Sequence, residues 1–143
     1  MLNMRTNHSN ATCKCRALSF SGDGGDTWSD IVYEPVMKDS ICQGASTSFH
    51  HFTFFVNPSM YYTRTNLTLF YKSLQQTEWQ EKRITNEFAF SDYSSLSNNP
   101  IIMNGHVYLG ILWSSCTFPF PFRVWCTFDT AWNIRFGWIQ IDA

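Results

Sequence analysis

The sequence predicts an all-β protein, and three observations carry that expectation. Apolar residues alternate with polar ones or run in short blocks, as in "SFHHFTFFV" and "NLTLFYKS", which is strand spacing. Glycine, proline, asparagine and serine interrupt those blocks at short intervals, as turns require. Helix signals are scarce.

Taken in order, strands are expected at 15–21, 48–56, 66–73, 101–113 and 123–128. The interval 85–96 adds a short strand entering a turn. The segment "TFPFPF" (117–122) is excluded from a sheet interior, because Pro119 and Pro121 lack the amide hydrogen a ladder needs. No linker or low-complexity stretch divides the chain. Residues 1–143 therefore read as one all-β unit of about eight to twelve strands, at about 12 residues per strand and turn.

Composition narrows the function classes. The 143 residues suffice for one domain with a real core. Ten Lys and Arg stand against eleven Asp and Glu, a net charge of −1, so no basic stripe suits a nucleic-acid partner. Aromatic residues make up 17% and charged residues 15%, so the chain must bury most of its surface, against itself or against a partner. No apolar run reaches the roughly 18 residues of a spanning helix. The start "MLNMRTNHSN" has no apolar signal core. The odd set Cys13, Cys15, Cys42, Cys116 and Cys126 reads as free thiols, with Cys13 and Cys15 on one strand face. Sequons at Asn7, Asn10 and Asn66 are expected to be unused, and His50-His51 lacks metal-ligand spacing, so no metal is expected.

The densest stretch is "SFSGDGGDTWSD" (19–30), with three acids and three glycines. Asp23, Asp26 and Asp30 are spaced three and four apart, which fails as an EF-hand calcium loop. No Gly-Lys-Ser/Thr ending makes it a phosphate cradle. As a hairpin turn it works: Asp23 accepts backbone N–H groups, the glycines take positive φ, and Trp28 packs where the next strand starts.

The spacing Ser21-x-Asp23-x-Gly25-x-Thr27-Trp28 resembles the Asp-box, the repeated turn of sialidase β-propellers and several other propeller families. In sialidases it lies away from the active site, so the resemblance makes these acids structural. A degenerate second box falls at 72–79, where Trp79 is kept but Lys72, Leu74, Gln76 and Glu78 replace Ser, Asp, Gly and Thr. That turn is expected to lack side-chain hydrogen bonds and to be looser.

With this turn as reference, the chain from about residue 2 to residue 135 resembles the C-terminal half of an animal-type exo-α-sialidase. "LNMRTN" is similar to the segment with the family's second active-site arginine, which places Arg5 there. "CQGAS" is similar to the Cys-Gln-Gly segment touching sialic acid, which places Gln43 there. "NPSMYYTRTNLTLF" is similar to the stretch with the third arginine, here Arg64. "FAFSDYSSL" is similar to the stretch with the nucleophilic tyrosine, whose position holds Phe90.

The resemblance implies a partial six-bladed β-propeller of about three blades, each a four-stranded antiparallel sheet. It implies release of terminal α-linked sialic acid from glycoproteins, gangliosides and oligosaccharides, without cofactor or metal. The partners are sialylated glycoconjugates, whose carboxylate suits guanidinium forks. Relatives occupy lysosome, plasma membrane and cytosol, and nothing in the sequence selects among them.

Three departures bear on activity. Phe90 has no hydroxyl to form a covalent sugar intermediate. Tyr93, three residues on, would point to the opposite face of an extended strand. The family's Leu-Tyr-Glu carboxylate falls at Trp113 and Ser114. The chain begins just before the second arginine, where the family has a first arginine, an aspartate and a glutamate upstream. The expectation is therefore a truncated, catalytically incomplete sialidase, whose open propeller edges invite association. The alternative is a non-catalytic sialic-acid-binding or interaction module. Arg16, Arg83, Arg123 and Arg135 read as surface or stacking residues.

Overall fold

The computed structural model describes residues 1–6, 13–86, 89–116 and 132–141. Among them are eleven strands and no helix, arranged as three antiparallel sheets. The first sheet has the order β1 (Leu2–Met4), β2 (Cys15–Ser19), β3 (Val32–Lys38). The second is a meander of β4 (Ala45–Phe49), β5 (Phe52–Pro58), β6 (Leu67–Ser73) and β7 (Gln80–Arg83). The third holds β8 (Phe90–Leu96), β9 (Ile101–Met103), β10 (His106–Cys116) and β11 (Trp132–Ile141). There β11 lines one edge of β10, and β8 and β9 share the other edge.

The central strands β5 and β6 of the middle sheet are buried on both faces, and the period of two decides which residue faces which neighbour. Phe54, Val56, Leu67 and Leu69 pack against Leu96, Leu109, Ile111 and Ile141 of the third sheet. Phe55 and Phe70 point the other way, onto Leu18 and Met37 of the first. Phe55 and Phe70 are also cross-strand partners, with ring centroids 6.4 Å apart. Each such side chain, fully buried, is worth about 1.5–3 kcal/mol. Gly44 is required beneath this layer, since a Cβ there would collide with the Phe55 ring.

Several expectations are corrected. The segment 48–56 is a hairpin rather than one strand: Phe49 pairs with Phe52 across His50-His51, and His50 takes φ 52°. The apolar positions change parity there, from Phe49 to Phe52 and Phe54, but no glycine, proline or asparagine marks the turn. Segment 101–113 also reverses, at Asn104-Gly105, where both residues have positive φ as in the Asn-Gly hairpin turn. Strand β3 contains Pro35, which an edge strand tolerates. The first sheet has three strands among the described residues, where blades of four were expected.

Among the described residues the free-thiol reading holds for Cys42 alone, which is buried. Cys13 and Cys15 form a disulfide, their Cα atoms 5.2 Å apart, within bonding reach because the chain bends just before β2. Cys116 is also disulfide-bonded. Asn66 is buried, with its amide nitrogen donating to the Ser59 carbonyl. The expected strand at 123–128, the Pro119–Pro121 segment, Arg123, Cys126, Asn7 and Asn10 lie outside the described residues.

Candidate functional site

Antiparallel pairing sends alternate connections to opposite ends of the sheets. Arg5 leaves β1 at the end where β3 passes into the loop 39–44, and the loop 59–66 joins β5 to β6 at the same end. The start of β8 lies there too, since Phe90 bridges Thr65 and the Ser91 amide donates to the Arg64 carbonyl at 2.7 Å. The turn at 20–29, the His50-His51 turn and the 74–79 turn occupy the other end. Loops from all three sheets thus converge on one end, which the strands hold in place.

Arg5 and Arg64 meet at a single atom. Arg5 Nη1 and Arg64 Nη2 each lie 3.5 Å from the Ile41 carbonyl oxygen. At that length both bonds are weak and readily exchanged. Arg64 directs its other nitrogen, Nη1, to Asp92 Oδ1 at 3.0 Å. Its side chain is 39% exposed. Burial is the largest single influence on Arg64 and lowers its pKa, but the Asp92 hydrogen bond, Cys42 and the Asp92 charge together raise it. Lys14 stands 4.0 Å over the Tyr62 ring and Lys38 stands 5.3 Å over Tyr61, so two more cations flank the loop carrying Arg64.

Arg16, expected at the surface or stacked on an aromatic ring, is stacked but not at the surface. It is 3% exposed and pairs with Asp39, itself fully buried, at 3.4 Å. Its Nε donates to Asn3 Oδ1 at 2.7 Å and its Nη1 to the Cys42 carbonyl at 3.1 Å. The Phe55 ring lies beneath its guanidinium, 5.1 Å to the centroid. Burial lowers its pKa, and Asp39 opposes that shift. Arg83 and Arg135 are exposed, as expected, with Arg135 Nε donating to Ser115 Oγ.

Phe90 is half-buried at the start of β8, opposite Cys116 and beside Thr65. Two residues later the register slips. Asp92 and Tyr93 together face Ser114 alone, whose Oγ accepts the Tyr93 amide at 3.0 Å. This is a β-bulge, and it breaks the alternation from which Tyr93 was placed opposite. Both bulge residues reach Arg64: Asp92 by its carboxylate and Tyr93 by its ring, 5.8 Å from the guanidinium carbon. The Cys42 thiol donates to the Asp92 carbonyl, which ties the 39–44 loop to the bulge.

Gln43 is exposed and lines a cavity of about 290 Å³ with Tyr93, Ser94, Leu112, Trp113 and Ser114. Arg5 and Arg64 do not line it. Tyr93 joins the two, touching Arg64 and the cavity alike. The structure therefore gathers Arg5, Arg64 and the start of β8 closely, and Gln43 only by way of Tyr93. Among the described residues, no cluster of His, Cys, Asp and Glu could hold a metal ion.

The turn at the far end is closed by its own side chains. Asp23 accepts from the Thr27 amide at 3.0 Å and from the Thr27 hydroxyl, and Ser21 Oγ accepts the Gly25 amide at 2.8 Å. Trp28 Nε1 donates to the Gly25 carbonyl, and Gly24 and Gly25 take φ of 82° and 108°. Thr27 and Ser21 together hold the Asp23 carboxyl far below the ordinary aspartate range. The 72–79 turn also has side-chain bonds, contrary to expectation. Lys72 Nζ donates to the Thr77 carbonyl at 2.7 Å, and Gln76 Oε1 accepts the Ser73 amide at 3.0 Å.

Sequence reasoning missed Asp39, Ile41, Asp92 and Arg16. The Arg64–Asp92 contact depends on a bulge, and the Asp39 contacts on chain brought together from three segments; neither leaves a local pattern. No protein-family model matches the chain.

Proposed function

We propose that the chain is a sialidase-type propeller segment that binds terminal α-linked sialic acid through its carboxylate without hydrolysing it. The observation that carries this reading is the meeting of Arg5 and Arg64 at the Ile41 carbonyl. Two long, weak contacts to a neutral oxygen would be exchanged for charge-assisted bonds to a carboxylate, shorter and about twice as strong. Flanking Lys14 and Lys38 favour an anion, while Asp39 is already engaged by Arg16.

Three face-packed antiparallel sheets, with the middle one covered on both sides, support a propeller arrangement. The Ser21–Trp28 turn at the end remote from the arginines supports the family reading. Absence of turnover is inferred from Phe90, which offers no nucleophilic oxygen, and from Trp113 and Ser114, which offer no carboxylate. The test is titration of the chain with a methyl α-sialoside, alongside a fluorogenic sialoside assay. Salt-sensitive binding that Arg5→Ala and Arg64→Ala each weaken is expected, with no hydrolysis. Turnover abolished by Arg64→Ala would overturn the inactive reading, and absence of any binding would overturn the ligand.

A further inference from the structure

We propose that buried Asp39, held by Arg16, is the positioning residue of this site: one carboxylate sets where both Arg5 and Arg64 present their guanidinium groups. The inference rests on the reading of those two arginines as the anion clamp.

Its two oxygens support two different parts of the clamp. Oδ2 accepts the Thr6 amide at 2.8 Å and lies 3.2 Å from Thr6 Oγ1. That fixes the residue immediately after Arg5. Oδ1 accepts the Ile41 amide at 3.0 Å, and Arg16 Nη1 reaches both Oδ1 and the Cys42 carbonyl, so residue 41 is bracketed from either side.

Ile41 needs such support. It takes φ 54°, a left-handed conformation that is unfavourable for a β-branched residue. An aspartate accepting the amide two residues on stabilises this kind of turn. The resulting backbone turns the Ile41 carbonyl toward Arg5 and Arg64. Strain is thus kept at the atom both guanidinium groups share.

The experiment uses the full chain labelled with nitrogen-15. Arginine Nε–Hε signals of Arg5 and Arg64 are recorded first without ligand, then during titration with free sialic acid. Asp39→Asn should move both signals and weaken affinity about tenfold, as loss of a charge-assisted bond would. Thr6→Ala, a milder change, should move the Arg5 signal more than that of Arg64. Ser40→Ala, in the same loop but bonded to the Pro58 carbonyl, should move neither.

Unmoved arginine signals in Asp39→Asn, with shifted amides at 39–42, would overturn the proposal. An equal response in Ser40→Ala would do the same. Should Asp39→Asn fail to fold, unmoved Arg5 and Arg64 signals in Arg16→Lys, which removes the Nη1 bond to Asp39, overturn it. Should the unmodified chain bind no sialic acid, the functional reading falls, while the ligand-free spectra still decide the positioning role.

Discussion

Two arginine–aspartate pairs lie among the described residues, and they differ in solvent access rather than in chemistry. Arg16 and Asp39 are 3% and 0% exposed, whereas Arg64 and Asp92 are 39% and 19% exposed. Burial dominates at Arg16 and lowers its pKa. At Arg64 burial also acts downward, but hydrogen bonding and nearby charge outweigh it. The buried guanidinium is bonded to Asn3, Asp39 and Cys42, while Arg64 keeps one nitrogen on a weak contact. An ion pair sealed from water holds structure; a half-open one can exchange partners.

The sharpest way to break this contrast is to remove one partner from each pair. Arg16→Met should cost about 3–5 kcal/mol in urea unfolding, because it strands a buried charge. Arg64→Ala should cost less than about 1 kcal/mol, as exposed pairs do. Equal losses would show that exposure does not separate the two.

Binding should reverse the order. Arg64→Ala should weaken the proposed sialic-acid binding while leaving the fold intact, and salt should weaken binding by the unmodified chain. Calorimetric titration at two salt concentrations reads both effects. Retention of full affinity would remove Arg64 from the clamp.

A smaller effect concerns Cys42, which lies between the two pairs. Burial raises its thiol pKa. A raised thiol pKa stabilises the fold fully below the ordinary thiol range, and that contribution is lost as pH rises from there through the folded value. Alkylation at mildly alkaline pH should therefore follow unfolding. Rapid alkylation of the folded chain would contradict the burial.

The smallest effect lies at the remote turns. Asp23 is depressed by Thr27 and Ser21, so its contribution is present above the ordinary aspartate range and lost as pH falls from there through the depressed value. The Thr27 amide should lose protection from hydrogen exchange on acidification, and also in Asp23→Ala. The 72–79 turn, held by Lys72 and Gln76, should not respond over the same range. A matching response there would show that both turns depend on the sheet rather than on their own side chains.

The sequence made the strands β2, β5, β6, β8 and β10 legible, because a strand buried on one face writes a period of two into local order and one buried on both writes a short apolar block. It also marked the Ser21–Trp28 turn, whose bonds run between residues two to four apart. It did not mark the reversal at His50-His51, where two histidines stand in place of the usual turn residues. Nor did it place Tyr93 beside Arg64, since one extra residue in β8 cancels an argument from parity.

By itself, then, the sequence determined an all-β chain, its main strands and one self-closed turn, all of them set by contacts within a few residues. Only the tertiary structure decided that Arg5, Ile41, Arg64 and Asp92 meet, and that Arg16 and Asp39 are sealed away from solvent. Those relations join three sheets through loops. Their physical cause is the stacking of buried faces, which brings together residues that local pattern leaves unconnected.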